Sequence, residues 1–337
     1  MELRTTFKID PSPDKITYHD PVIFIGSCFA KEIGVQFESG HIPVLINPAG
    51  TVYNPVSVCN TLDAITGGEK YIKEDLYNHN GTWLSFNHYT DFSSDDPEKV
   101  LDKINSGLEA ARKFISEARF LFITFGTARV YRWNRSGRIV SNCHKIPSSE
   151  FTHELLTTDE ISMLWGQQLN KLQTLLPQMK VIFTISPVRH WKDGAHGNQV
   201  SKSVLFLAVE ELLKHPSKPG YFPAYELVMD DLRDYRFYDE DMVHPSSSAV
   251  SYIWERFSEC YFDKKTVELR NEVVKITKAF NHRLTGGSEK KKKEFAESML
   301  SRITVIENKN PSIDLSEEKG YFLKILKPNS PDFSPDY

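Results

Sequence analysis

The sequence predicts a three-layer α/β/α domain with a parallel central sheet, followed by a C-terminal helical extension. Between residues 21 and 262, short apolar runs of strand length alternate with amphipathic segments of helical period. This alternation is typical of parallel sheets whose connecting helices cover both faces. After residue 262 the sequence changes to amphipathic helical segments. We therefore expect a main domain over residues 1–262, and a helical extension with a loose tail over residues 263–337.

The strands are predicted from apolar runs that stop at a glycine or a proline. The first run stops at Gly26, a later one stops at Gly126, and Pro187 ends another. A hairpin is expected around Asn134–Gly137, which lies between two short strand-like segments. The sheet strands are expected at Pro21–Ile25, Val44–Ile46, Phe120–Gly126, Lys180–Ser186 and Tyr225–Met229.

The helices are predicted from apolar spacing and from capping signals. Asp96 is a good N-cap with Pro97 at the first helical position, and Thr157 has capping-box spacing to Glu160. In the extension, Gly286 and Gly287 separate two helices, and a proline-containing tail follows. Helices are expected at Cys28–Glu38, Val56–Ile65, Pro97–Ile115, Thr157–Leu176, Asn198–Lys214, Ser246–Tyr261, Lys264–Arg283 and Ser288–Ile303.

The bulk composition is that of an ordinary globular protein and excludes some classes of partner. Hydrophobic residues make up 40% of the 337 residues and charged residues 26%. The net charge of −4 provides no positive electrostatic potential that would attract nucleic acid or an anionic membrane. No apolar run approaches the roughly 20 residues that a bilayer-spanning helix needs. We expect no nucleic-acid partner and no membrane span.

The cysteines and the N-terminus favour a cytoplasmic location. The four cysteines are widely scattered, and no Cys-x-x-Cys pair indicates a zinc site or a disulfide framework. Reduced thiols are the simplest interpretation. Residues 1–20 carry charges and prolines in place of an apolar signal core. Acidic residues between Asp230 and Asp241 lack metal-ligand spacing, so we expect no metal and no cofactor.

The stretch Val22–Glu32 is the strongest functional signal. An apolar run breaks at Gly26 and passes directly into a helix. A residue at this point stands at the carboxyl end of a strand and near helix N–H groups, which is a common way to present a nucleophile. We therefore predict that Ser27 attacks an acyl carbonyl. Two alternatives remain: Ser27 acts only as a helix N-cap, or Cys28 is the nucleophile, since thiolates form at helix N-termini.

A serine nucleophile needs a base, and His244 is the best of the eleven histidines. It lies late in the strand order, in Asp241-Met242-Val243-His244-Pro245, just before a helix. Loops at the carboxyl ends of parallel strands meet at one edge of the sheet, so this loop is expected to reach Ser27. Asp241 is close enough in sequence to bond the far imidazole nitrogen and to hold its tautomer.

The sequence Gly26-Ser27-Cys28-Phe29-Ala30 resembles the name-giving motif of the GSCFA family, which is similar to the SGNH/GDSL hydrolases. That superfamily has its nucleophilic serine in an N-terminal block and the other two triad residues in an Asp-x-x-His block near the C-terminus. Ser27, Asp241 and His244 match this order. The resemblance covers roughly residues 1–262 and implies an SGNH-hydrolase-like fold, a Ser-His-Asp triad and a bacterial origin.

The chain departs from the superfamily pattern at two points. Gly26 replaces the usual aspartate before the nucleophile, and the block that supplies an oxyanion-hole asparagine is not present as such. The resemblance therefore places the oxyanion donors at the Ser27 amide, at Gly50 and at Gly126 and Thr127.

Polar residues in the loops are further candidates for substrate binding. Asn54, His88, Arg129 and Arg189 lie in or beside loops expected near the cleft, although each has a structural interpretation as a hydrogen-bonding residue. The aromatic stretch Trp83–Phe92 is interpreted either as a surface for a sugar or an acyl group, or as a small separate core.

These observations predict a serine esterase or acyl hydrolase that works through an acyl-enzyme. The resemblance implies an acyl ester of a carbohydrate or a lipid as substrate. An O-acyltransferase acting on a glycan uses the same chemistry and stays an alternative, as does a catalytically silent binding module of the same fold. The C-terminal helices are also expected to offer a surface for self-association.

Overall fold

The computed structural model describes residues 4–282 and 288–327, which form two compact units. The first unit comprises 4–11, 20–34 and 44–260. The second comprises 12–19, 35–43, 261–282 and 288–327. Two segments from the N-terminal part of the chain therefore belong to the second unit, which the sequence did not indicate. The predicted linker at Gly286–Gly287 and the predicted loose tail at 328–337 lie outside the described residues.

The strands follow the apolar runs, with antiparallel pieces between them. Within the described residues they are β1 (Val22–Gly26), β2 (Val44–Ile46), β3 (Tyr77–His79), β4 (Thr82–Leu84), β5 (Phe120–Phe125), β6 (Arg129–Trp133), β7 (Ile139–Val140), β8 (Phe151–Leu155), β9 (Lys180–Ile185) and β10 (Gly220–Tyr221).

The helices follow the amphipathic segments. They are α1 (Cys28–Glu38), α2 (Pro55–Gly67), α3 (Pro97–Glu117), α4 (Thr158–Leu175), α5 (Gly194–Leu212), α6 (Ala224–Glu226), α7 (Ser247–Tyr261), α8 (Lys264–Asn281), α9 (Glu289–Lys309) and α10 (Ser316–Leu326). Asp96 caps α3, with Pro97 as its first residue. Thr157 and Glu160 form the predicted capping box of α4.

The central sheet is parallel, with the strand order β10-β9-β5-β1-β2. Gly26 lies opposite Thr124 of β5, and Thr124 lies opposite Thr184 of β9. The carboxyl ends of these three strands therefore share one edge. The chain moves from β1 to β2 on one side and later returns to β5 on the other side. This makes the end of β1 a topological switch point, where α/β sheets usually bind their ligands.

Helices cover both faces of the sheet and confirm the predicted three-layer fold. Ile23 and Ile25 point to one face and belong to a core that includes residues of α2, α3, α4 and α5. Phe24 points to the other face, because side chains alternate along a strand. There it stacks on Phe122 at a ring distance of 4.9 Å, and Phe122 contacts Phe257 of α7 at 5.1 Å.

The region Tyr225–Met229, predicted as a strand, is helical. Pro223 precedes α6, and a short π-helix (Leu227–Asp231) continues it. Leu227 and Val228 are fully buried, so their apolar character reflects burial in a helical turn. A short apolar run cannot be assigned to strand or helix from composition alone. The strand next to β9 at this edge of the sheet is instead β10.

The second unit has its own polar contacts. The Tyr18 hydroxyl donates to the Gly40 carbonyl at 2.8 Å, and the Arg270 guanidinium donates to the Gln36 carbonyl at 2.9 Å. His41 Nε2 lies 2.8 Å from Glu318 Oε1. Glu318 belongs to α10, a helix that the sequence did not indicate.

Within 4–282 and 288–327, no helix has both the length and the apolar character needed to cross a bilayer.

The exit of β1 depends on a glycine. Gly26 has a φ of +146°, in the region that L side chains rarely adopt. A Cβ placed there would lie 2.2 Å from the Thr124 carbonyl oxygen. A larger side chain, such as the aspartate expected from the SGNH/GDSL pattern, therefore has no room at this position.

We predict that Gly26→Ala lowers the free energy of unfolding by roughly 2 to 6 kcal/mol, since it combines over-packing with a strained backbone. Urea denaturation of the full chain measures this. Gly107→Ala is the matched control, because a Cβ at that position in α3 meets no neighbouring atom within 4 Å. Helix propensity predicts that this control gains about 0.5–1 kcal/mol. Equal stability of Gly26→Ala and wild type would contradict the close approach to Thr124.

Candidate active site

Ser27 lies between β1 and α1, where the sequence predicted it. Its carbonyl accepts the N–H of Ala30 at 2.9 Å, which starts the helix. Ser27 is only 1% exposed. Its Oγ is buried and has no hydrogen-bond partner among the described residues. The side chain therefore does not act as the N-cap acceptor that the structural alternative requires.

The loop 47–54, between β2 and α2, is hydrogen-bonded to the carboxyl ends of β1 and β5 beside Ser27. Val52 N–H donates to the Gly26 carbonyl at 3.0 Å. The Tyr53 carbonyl accepts the N–H groups of Gly126 at 2.7 Å and Thr127 at 3.1 Å. Because both strand ends are bonded to the same loop, their spacing next to Ser27 is set by main-chain contacts.

The structure brings Asp241 and His244 together. Asp241 Oδ2 lies 2.5 Å from His244 Nδ1, and Asp241 Oδ1 accepts the N–H groups of Val243 and His244, each at 2.9 Å. These donors, with the His244 N–H first, lower the pKa of Asp241 to about 2. The carboxylate is therefore ionised at neutral pH. With Nδ1–H donating to it, His244 Nε2 is left as the acceptor.

The predicted contact between Ser27 and His244 is not formed in this structure, since Ser27 Oγ has no hydrogen-bond partner within the described ranges 4–282 and 288–327. The His244 and Asp241 side chains are about half exposed, at 47% and 51%. Ser27 is enclosed. The Asp241–His244 hydrogen bond is thus formed, while the predicted hydrogen bond from Ser27 to His244 is not.

Sequence reasoning missed His190, whose ring lies beside Ser27. A Cβ placed on Gly126 would lie 3.2 Å from His190 Nε2 and 3.4 Å from Ser27 Cβ. Burial, followed by the positive charges of Lys202 and His244, lowers the pKa of His190 to about 4. The imidazole is therefore neutral at neutral pH. Its position just after β9 was the available signal, and the sequence analysis selected its neighbour Arg189.

Lys202 of α5 is a second residue that the sequence did not indicate. It is fully buried, and its Nζ donates to the carbonyls of Gly126 at 2.7 Å and Ser186 at 2.5 Å. These bonds tie the ends of β5 and β9 together. Burial lowers the pKa of Lys202 to about 7. A lysine in an amphipathic helix is ordinarily taken as solvent-facing, so its spacing gave no signal.

The alternative nucleophile, Cys28, is partly buried at the start of α1. Burial raises the pKa of its thiol, and the charge of Glu32 adds to this. The group is therefore a thiol at neutral pH, whereas a thiolate is the reactive species.

The structure corrects the predicted oxyanion donors. Ser27 N–H donates to the Thr124 carbonyl at 3.2 Å, and Gly50 N–H donates to the Asn47 carbonyl at 2.7 Å. Gly126 and Thr127 donate to Tyr53, as described above. The Thr127 hydroxyl is also paired, with Ser201 Oγ at 2.9 Å. The sequence identified loops that contain N–H groups, but it carried no sign that main-chain carbonyls already accept these hydrogen bonds.

Two of the predicted substrate-binding residues are structural. Asn54 is the N-cap of α2: its Oδ1 accepts the Ser57 N–H and its Nδ2 donates to Ser57 Oγ, both at 2.9 Å. His88 is 3% exposed, and its Nδ1 lies 2.9 Å from Ser85 Oγ. Burial lowers the pKa of His88 to about 4. Both side chains are therefore engaged inside the protein.

The two arginines are only partly covered. Arg129 Nε lies 3.7 Å from Asp193 Oδ1, and Arg189 Nη2 lies 3.8 Å from the Met229 sulfur. Arg189 adjoins His190, so it stays a candidate for substrate contact. Within residues 4–282 and 288–327, no group of three His, Cys, Asp or Glu side chains is arranged to hold a metal ion.

Comparison with known proteins identifies the family. A search of curated proteins found no match to the chain. A family model described as the GSCFA family matches residues 21–257, well over half of the 337 residues. The matched region contains the whole central sheet, Ser27 and the Asp241–His244 pair. The chain belongs to the GSCFA family.

Proposed function

We propose that the protein is a serine acyl hydrolase that acts on an acyl ester of a carbohydrate or a lipid. The observation that carries the proposal is the Asp241–His244 pair, joined at 2.5 Å within one turn of chain. An ionised carboxylate on Nδ1 leaves Nε2 free to take a proton, which is the arrangement of a serine-hydrolase base. Ser27, at the switch point of the sheet, supplies the nucleophile.

In the proposed reaction, Ser27 Oγ attacks the ester carbonyl and His244 Nε2 takes the hydroxyl proton. Asp241 stabilises the imidazolium without accepting its proton. The tetrahedral intermediate collapses, the alcohol leaves with the proton from His244, and the acyl group remains on Ser27. Water then attacks the acyl group through the same two steps, and the carboxylic acid is released from Ser27. An O-acyltransferase differs only in that a sugar hydroxyl replaces water in the second half.

The surroundings of the site support an organic ester as substrate. Trp191 and Met242, which directly follow His190 and Asp241, are each about half exposed. Apolar surface of this kind suits an acyl chain or the face of a sugar ring. Ser27 Oγ is enclosed in the present arrangement, so the proposed acylation requires the neighbouring loops to open.

A catalytically silent binding module is the second candidate. The observation that favours it is that the four predicted oxyanion N–H groups are paired and Ser27 is buried. Two further proposals rest on the sequence: a cytoplasmic location, supported by four cysteines that are widely scattered and form no Cys-x-x-Cys pair, and self-association through the C-terminal helices. A concentration-independent monomer in light scattering would contradict self-association.

We predict that wild type hydrolyses p-nitrophenyl acetate and that Ser27→Ala reduces the rate to the uncatalysed background. Cys28→Ala is the matched control, because it removes the adjacent rival nucleophile and leaves Ser27 in place. It is expected to keep the wild-type rate, since burial holds Cys28 as a thiol. Equal rates for wild type and Ser27→Ala would contradict the Ser27 mechanism, and equal rates at the uncatalysed background would support the silent module instead.

We predict that Asp241→Asn lowers kcat on the order of 10³- to 10⁴-fold, because the amide fails to hold the reactive tautomer of His244. Asp239→Asn is the control: it makes the same change two residues away, where the exposed carboxylate accepts only the Glu240 N–H. Steady-state kinetics on both variants measures the difference. A similar kcat for the two would remove Asp241 from the mechanism.

We also predict that the base is His244 and not His190. His244→Gln is expected to lose activity about 10²- to 10⁴-fold, whereas His190→Gln keeps the wild-type pH profile. His190 stays neutral above its pKa of about 4. The base would instead be His190 if the kcat/KM of wild type persisted down to about pH 4 and His190→Gln lost its activity in that low-pH range.

A further inference from the structure

We propose that the side-chain amide of Asn47 donates a hydrogen bond to the oxyanion that forms at Ser27. This inference rests on the proposed hydrolase function and adds a catalytic residue to it. It replaces the donor that the superfamily pattern led us to expect in another loop.

The first observation is an unpaired donor beside the nucleophile. Asn47 Oδ1 accepts the Gly26 N–H at 2.8 Å. Because Gly26 directly precedes Ser27, this bond holds the Asn47 amide group next to the nucleophile. Asn47 Nδ2 is buried and has no hydrogen-bond partner among the described residues. A buried amide that leaves its N–H groups unused is destabilising, so its retention calls for a role.

The second observation is that the main chain of Asn47 is fixed. Its N–H donates to the Phe24 carbonyl at 2.8 Å, and its carbonyl accepts the Gly50 N–H at 2.7 Å. Its φ of 43° lies in the left-handed region, which asparagine tolerates better than most residues. With Oδ1 also bonded, the direction of Nδ2 is set before a substrate arrives. Such preorganisation makes a donor effective toward charge that develops in the transition state.

The third observation is that the oxyanion donors predicted from the sequence are occupied. The amides of Ser27, Gly50, Gly126 and Thr127 all donate to protein carbonyls. Asn54 Nδ2, in the same loop as Asn47, donates to Ser57 Oγ. Two side-chain amides in this region keep a buried Nδ2 without a partner among the described residues, those of Asn47 and Asn198. Asn198 Oδ1 accepts the His190 N–H at 3.0 Å, whereas Asn47 Oδ1 accepts the N–H of Gly26, which directly precedes Ser27. The inference therefore assigns the oxyanion contact to Asn47.

The test uses Asn47→Asp, which keeps an oxygen for the Gly26 N–H and removes the Nδ2 donor. Asn142→Asp is the matched control: Asn142 also accepts a main-chain N–H, from His144, and donates through Nδ2, to Thr90. We expect Asn47→Asp to lower kcat about 100- to 1,000-fold with little change in KM, because the bond forms in the transition state. Asn142→Asp is expected to keep the wild-type kcat.

A thionoester substrate separates a catalytic from a structural role. Its sulfur is a poor hydrogen-bond acceptor, so wild type should prefer the oxygen ester, and Asn47→Asp should lose much of that preference. Asn47→Gly, which suits the left-handed backbone and adds no charge, provides the same comparison if Asn47→Asp fails to fold.

The outcomes distinguish this inference from the function on which it rests. If wild type shows Ser27-dependent turnover, but the Asn47 variants keep its kcat and its preference for the oxygen ester, the inference is wrong and the function stands. If wild type shows no Ser27-dependent turnover, both are wrong. Reduced kcat with an unchanged oxygen-ester preference would make Asn47 a structural residue only.

Discussion

The close approach of Gly26 to Thr124 is the constraint on which the rest of the site depends. No side chain fits between the two main chains, so β1 and β5 stay in contact up to the point where β1 ends. The backbone then turns at a φ open to glycine, Ser27 follows, and α1 begins. The Gly26 N–H and carbonyl are bonded to Asn47 and Val52 of the neighbouring loop. One glycine thus joins two strands, one helix and one loop around the proposed nucleophile.

Burial lowers the pKa of two basic side chains near Ser27, those of His190 and Lys202. His190 is kept neutral by its low pKa, and burial of Lys202 draws its pKa to about 7. Lys202 uses its hydrogen bonds on two strand-end carbonyls, so it maintains the architecture around Ser27. The Asp241–His244 pair, in contrast, is exposed and ionised on the carboxylate side. The proposed chemistry therefore joins an enclosed nucleophile to a base that faces solvent.

Features that depend on neighbours in sequence were predictable. The three-layer fold followed from alternating runs, the caps at Asp96 and Thr157 followed from residue type, and the Asp241–His244 pairing followed from a three-residue spacing. The strand predicted at Tyr225–Met229 was wrong because an apolar run of that length fits a buried helical turn as well as a strand. The Gly50 N–H is paired within its own turn, whereas the pairing of the Gly126 N–H depends on a contact with Tyr53 in a distant loop. His190, Lys202 and Asn47 were missed for the same reason, since their importance comes from what the fold places beside them.

The most direct test of the central claim is to trap the acyl-enzyme and locate it. Wild-type protein is mixed with a p-nitrophenyl ester whose bulky acyl group is released slowly, quenched in acid and digested, and the peptide that contains Ser27 and Cys28 is fragmented in a mass spectrometer. The proposed mechanism predicts one acyl group on Ser27 and none on Cys28, and no adduct in Ser27→Ala. An acyl group on Cys28, or an unmodified Ser27 during turnover, would contradict the account.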